Sequence, residues 1–234
     1  MIFKLIKKIY YEKYTKKSYS ISNVDLVIDR LFSNVKKGVY VDLGCNHPIK
    51  YNNTYLLHKR GWNGINIDLD QTSIDEFNSM RKDDHNVVAT VSENEGETKD
   101  IFYYHKRSTI NTLSHDLAEK RNNKHKETLK TKTTTLNNVI ENSPYKNTKI
   151  NLLTIDIENH EYQALKNFNF RKFEIDIIVT ECTDMSQSKL EVYTQSLDYI
   201  FNTDLYKLLS KNNYRLINWV NSDLIFVNNS FDLK

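Results

Sequence analysis

The sequence predicts an α/β fold: a mostly parallel, doubly wound sheet with helices on both faces and an antiparallel hairpin at its C-terminal end. Short apolar runs alternate with stretches of helical period, the signature of strand–helix–strand units. Two runs near the end, YRLINWV (214–220) and DLIFVN (223–228), stand close enough to pair as a hairpin. Four of the five glycines and one of the two prolines fall between residues 38 and 64, so unusual backbone is concentrated in one unit.

Residues 1–17 (MIFKLIKKIYYEKYTKK) set Ile2, Phe3, Leu5, Ile6, Ile9 and Tyr10 among lysines at helical spacing. The expected element is an amphipathic basic helix that packs on the domain or, alternatively, lies on anionic lipid. Residues 21–34 read as a second helix with Ser22 or Asn23 as N-cap. An N-terminal helical segment (1–37) therefore precedes the main domain (38–234).

Within that domain, VYVDL (39–43) and GINID (64–68) read as buried strands around a helix at 53–60. A helix over 72–82 leads to a third strand, HNVVATV (85–91), and a shorter one at 100–105. NLLTID (151–156) and IDIIVTE (175–181) flank a helix at about 159–167, and one or two helices fill 188–212. Residues 114–135 are strongly polar without apolar period. They read as a solvated helix and loop, or as an insertion over the substrate mouth.

Thirty-three basic residues against 30 acidic ones give a net charge of +3, which is not the footprint of a nucleic-acid binder. Cys45 and Cys182 stand 137 positions apart and fit no disulfide framework or zinc motif, so both are expected as buried thiols. No apolar run approaches the roughly 18 residues of a membrane span, and no cleavage site follows an N-terminal apolar stretch. The expectation is a soluble cytoplasmic protein.

Ligands of doubly wound sheets bind at the carboxyl ends of the strands, near the switch in strand order. After the first strand come Asp42, Gly44, Asn46, His47 and Pro48, a carboxylate followed by a glycine turn. This is not the three-glycine fingerprint of dinucleotide sites. Asp68 ends the second strand 24 residues beyond Gly44, where a ribose-reading acid stands in nucleoside sites. One glycine and one such acid suit an adenosine ligand without phosphates, S-adenosylmethionine, with Asp42 toward its ammonium group.

The block from Tyr40 to Asp68, YVDLGCNHPIKYNNTYLLHKRGWNGINID, resembles the FkbM family of S-adenosylmethionine-dependent methyltransferases. The matching positions are Asp42, Gly44, Asn46, Pro48, Asn53, Thr54, Tyr55, Gly61, Trp62, Gly64 and Asp68. A second block, LLTIDIENHEYQALKNF (152–168), is similar to the family at Asp156, Glu158, Glu161 and Leu165. TVSENEG (90–96) after the third strand and Glu181 at a strand end are fainter echoes. Cys45, Thr154 and Asn159 depart from the family's usual Ala, Lys and Gly. The resemblance implies a Rossmann-like class I methyltransferase fold with a mostly parallel seven-stranded sheet. It also implies methylation of sugars, glycoconjugates or small natural products.

On this reading Asp42, Gly44, Asn46, His47, Asn53, Thr54, Asp68, Thr90, Val91 and Asp156 face the cofactor. Asn53-Thr54 serves equally as a helix N-cap. Methyl transfer to an alcohol needs alignment and removal of one proton. Asp156 is the first choice of base, with Glu158 and His160 behind it. A divalent cation on these carboxylates and Glu181 is the less favoured arrangement, so no metal ligand is assigned. The expected partner is a small molecule, glycan or glycolipid, not nucleic acid, and residues 1–17 offer a weak membrane contact. The rivals are a dinucleotide-dependent sugar oxidoreductase and a non-catalytic cofactor-binding protein on the same fold.

Overall fold

The computed structural model describes residue 11 and residues 15–121, 124–184 and 196–232. The expected helix at 1–17 and the start of the 188–212 stretch lie largely outside them. In chain order the first half contains α1 (Val24–Leu31), β1 (Val39–Leu43), α2 (Tyr55–Lys59), β2 (Asn63–Asp68) and α3 (Gln71–Met80). Then come β3 (His85–Val88), β4 (Thr90–Val91), β5 (Thr98–Tyr103), α4 (His115–Lys120), β6 (Glu127–Thr134) and α5 (Leu136–Glu141). The rest is β7 (Ile150–Ile155), α6 (Glu161–Lys166), β8 (Ile175–Glu181), α7 (Leu197–Asn202), α8 (Asp204–Lys211), β9 (Tyr214–Val220) and β10 (Asp223–Asn228).

Seven strands form the main sheet in the order β3-β2-β1-β7-β8-β10-β9. The first five run parallel, and β10 is antiparallel to both β8 and β9. The chain leaves β1 toward β2 and later returns to place β7 on the other side of β1. This is the strand-order switch, and a crevice opens there at the carboxyl ends. The sheet is Rossmann-like, with the antiparallel terminal hairpin expected of a class I methyltransferase fold.

Period-2 alternation assigns the two faces. Val41, Leu43, Leu153, Ile155, Leu224 and Phe226 point into one core with Leu136 and Ile140 of α5, Leu165 of α6 and Leu209 of α8. Tyr40, Leu152, Ile177, Val179 and Ile225 point the other way, against Val24 and Ile28 of α1, Leu57 of α2 and Trp62. Helix α1 is thus built into the core of the main domain. An ion pair of 2.7 Å from Arg60 Nη1 to Asp29 Oδ1 adds a polar tie. Asn23 stands at the N-cap of α1 without a side-chain cap; Asp25 instead accepts the Tyr19 N–H at 2.7 Å.

Two sequence expectations are corrected. The single strand expected at 85–91 divides at Ala89, whose N–H donates to Asp68 O at 2.9 Å. Its first half stays in the main sheet, and Thr90–Val91 joins a separate sheet of order β4-β6-β5. The polar stretch at 114–135 contains β6, the central strand of that small sheet, as well as α4. Its period is hidden because β6 is exposed along most of its length, so polar Thr and Lys suffice there. Both cysteines are free and buried, as expected.

Candidate functional site

The turn after β1 is built around Gly44. Its φ is +85°, and a β-carbon there would lie 1.9 Å from the backbone oxygen of Asp156. Only glycine meets both demands. The N–H groups of Gly44 and Cys45 donate to Ile67 O at 2.9 and 3.1 Å. Asn46, at φ 49°, donates its N–H to Asp68 Oδ2 at 2.9 Å, while Asp68 Oδ1 accepts the Asp70 N–H at 2.8 Å. One carboxylate therefore fastens the turns after both β1 and β2. Burial pushes the Asp68 carboxyl up to about 6 against the pull of these two N–H groups. Each oxygen keeps a lone pair for a further donor.

These turns form one end of a cleft of about 1260 Å³, open solvent at its mouth included. Asp68, Asp70, Thr90 and Val91 line it, with Leu43, Leu69 and Ala89 supplying apolar wall. At the other end stand Asp156, just past β7, Glu158, and Glu181 at the end of β8. Ligand oxygens of these three lie within 4.8 Å of one another. Asp223 joins them because it pairs in register with Glu181.

Burial first, then the charges of Glu181 and Asp223, push the Asp156 carboxyl well above its usual range. Asp156 is nonetheless open to cleft water, so the crowding of like charges is the firmer part of the cause. Burial and the Asp156 charge raise Glu158 to about 8, although Arg121 pulls the other way. Burial, Glu158 and Glu161 push Glu181 well up. Such groups retain protons near neutrality and take one readily once ionised. The same three carboxylates are hard oxygen donors of the kind that hold a divalent cation.

A segment after β5 closes over the cleft. Arg107 makes a forked ion pair to Glu76 at 2.6 and 2.8 Å, and its N–H donates to Asp70 Oδ2 at 2.6 Å. Ser108, Thr109, Asn111 and Leu113 then form part of the wall. Thr112 Oγ1 donates to Glu158 O at 2.6 Å, and Arg121 Nη2 pairs with Glu158 Oε2. Glu158 and Asn159 both have left-handed backbone, at φ 58° and 68°. The pinned segment holds that costly conformation in place.

Of the sequence-derived residues, Gly44, Asn46, Asn53, Asp68, Thr90, Val91, Asp156 and Glu158 meet in this cleft. Four do not line it. Asp42 is buried, its Oδ2 accepting from Asn52 Nδ2 at 3.0 Å and Thr54 Oγ1 at 2.8 Å, so Thr54 also faces inward. His47 Nδ1 accepts the N–H groups of Ile49 and Lys50, both at 3.0 Å, and thereby closes a turn. His160 Nε2 lies 2.9 Å from Ser92 Oγ, and burial lowers the imidazole to about 4. It stands buried at the N-cap position of α6.

Several lining residues escaped the sequence reading. Asp70 carried a signal, an acid just after a strand end, whereas Glu181, a strand-end echo and less favoured cation ligand in the sequence, lines the cleft as well. Ile21, Tyr51, Asn221–Asp223 and the 108–113 segment carried none, because loops reach the cleft only through the fold.

Fold and site together define a doubly wound domain with a cleft at its switch point and carboxylates at one end. The family model for the methyltransferase FkbM domain matches residues 42–216, and the chain belongs to that family. No curated protein matches the sequence. Among solved structures, monomeric WbdD is similar at 13% identity and a TM-score of 0.46, over 88% of this chain and 40% of WbdD. A TehB-like SAM-dependent methyltransferase from Corynebacterium glutamicum ATCC 13032 Kitasato is similar at 12% identity and a TM-score of 0.44, over 96% of each chain.

Proposed function

We propose that the protein is a cytoplasmic S-adenosylmethionine-dependent O-methyltransferase whose acceptor is a hydroxyl of a sugar, glycoconjugate or small natural product. The observation that carries this reading is the joining of the Gly44–Asp68 turn and the Asp156 carboxylate in one cleft. The residues fit the cofactor: Asp68 has lone pairs for ribose hydroxyls, and Leu69, Ala89 and Val91 offer apolar surface to a base.

When bound, the cofactor supplies an electrophilic sulfonium methyl group. Asp68 and the turn at Gly44 would hold its nucleoside. Asp156 would orient the acceptor hydroxyl and take its proton. Glu181 and Asp223 beside it keep the Asp156 carboxyl basic, while Glu158, paired with Arg121, is the second choice of proton acceptor.

The spacing of Asp156, Glu158 and Glu181 favours a second reading, in which a divalent cation on these carboxylates acidifies the acceptor. Release of S-adenosylhomocysteine with a panel of methyl glycosides and small phenols, with and without chelator, tests both. Acceptor-dependent release despite EDTA supports the metal-free form. Loss with EDTA and recovery with magnesium supports the cation. The lipid contact proposed for residues 1–17 is tested by vesicle binding before and after their deletion.

A further inference from the structure

We propose that Arg81, which does not line the cleft, is a positioning residue that shapes the 44–54 loop and so sets cofactor affinity. This rests on the reading of the cleft as an S-adenosylmethionine site. The loop has two sides. Asn46, Tyr51 and Asn53 face the cleft, whereas the Pro48 carbonyl, Asn52 and Thr54 turn inward onto one guanidinium.

Arg81 follows α3 and is 1% exposed. Its Nε donates to Pro48 O at 2.9 Å, and Nη2 reaches the same carbonyl. Nη2 also donates to Asn52 Oδ1 at 2.7 Å, and Nη1 donates to Thr54 Oγ1 at 2.8 Å. The rings of Phe77 and Tyr55 flank the guanidinium carbon at 5.0 and 5.4 Å. Three points of one loop are thus fixed by a rigid planar fork, which an ammonium cannot reproduce.

The charge is balanced at one remove. Thr54 and Asn52 relay it to Asp42, and the Tyr40 hydroxyl, 3.4 Å from Nη1, donates to Asp84 Oδ2 at 2.5 Å. A buried cation of this kind is a poor source of net stability compared with an apolar side chain. Its use lies in specifying one conformation, and the conformation specified here presents Asn46 and Asn53 to the cleft.

The test is calorimetric titration of S-adenosylhomocysteine into the full chain and into Arg81→Lys, Arg81→Met and Asn52→Ala, well below each melting temperature. Folding is verified by circular dichroism. Affinity is expected to fall about 10-fold or more in both Arg81 variants and by less in Asn52→Ala. A Val139→Ala variant, destabilised in the core away from the loop, should keep wild-type affinity. Millimolar guanidinium should restore binding to Arg81→Ala. If Arg81→Met does not fold, Arg81→Lys and Asn52→Ala carry the test. Folded Arg81→Lys that binds as tightly as wild type overturns the proposal alone. Wild-type protein that does not bind S-adenosylhomocysteine overturns the cofactor reading and the proposal with it.

Discussion

Gly44 and Asp156 touch backbone to backbone: the Asp156 carbonyl oxygen occupies the space where a β-carbon on Gly44 would sit, 1.9 Å from that position. The contact welds the turn after β1 to the end of β7, and so fixes the cleft-facing turn relative to the acidic end. A backbone atom cannot step aside as a flexible side chain can. Gly44→Ala should therefore cost about 2 kcal/mol or more and lower the melting temperature by several degrees. It should also weaken S-adenosylhomocysteine binding more than 10-fold where the protein is still folded. Scanning fluorimetry and calorimetry measure the two effects, and a variant with wild-type values in both would refute the weld.

Asp68 has two tasks, fastening the turns and facing the cleft. Asp68→Asn retains an acceptor oxygen but loses the charge and half of the fastening. It should weaken S-adenosylhomocysteine by about 10- to 100-fold, with a smaller loss of stability than Gly44→Ala. Unchanged affinity would mean that another residue holds the ribose.

Asp156→Asn should separate chemistry from binding. Turnover is expected to fall about 100-fold or more while S-adenosylhomocysteine affinity stays within about 3-fold. Glu158→Gln should produce a smaller loss, because Glu158 stands beside Asp156 with its carboxylate already paired to Arg121. Equal turnover of Asp156→Asn and wild type would remove Asp156 from the proton step.

The acidic end dictates an unusual pH dependence of stability. Asp68 and Asp223 stand at about 6, Glu161 at about 7 and Glu158 at about 8, all above their unfolded values because burial disfavours the charged form. Groups with raised folded pKa bind more protons in the native state, so their contribution is fully present below the unfolded values of about 4 and is lost as pH rises from there through 6 to 8. The ligand-free protein should melt about 5 °C higher near pH 5.5 than near pH 8.5. Scanning calorimetry across that window measures it. Glu158→Gln should flatten the curve, and a melting temperature that rises with pH would contradict the electrostatic picture.

The parallel strands were legible because burial on both faces writes continuous apolar runs, as in IDIIVTE at β8. The small sheet was not: β6 is exposed on most positions, so nothing forced an apolar period on it. The site divides in the same way. Gly44, Asp68 and Asp156 line the cleft because they stand at or just past strand ends, which are predictable places for ligand groups. The histidines do not line the cleft, since His47 closes a local turn and His160 is buried against Ser92, and neither partner is visible in residue spacing. Arg81 went unnoticed because its acceptors, Pro48, Asn52 and Thr54, come from a loop far away along the chain.

The most direct measurement is calorimetry of the wild-type chain with S-adenosylhomocysteine and NAD in parallel. The expected result is one site that binds S-adenosylhomocysteine in the micromolar range, weakened by Asp68→Asn, and no heat with NAD. Tight NAD binding without S-adenosylhomocysteine binding would contradict it and return the cleft to a dinucleotide-dependent oxidoreductase.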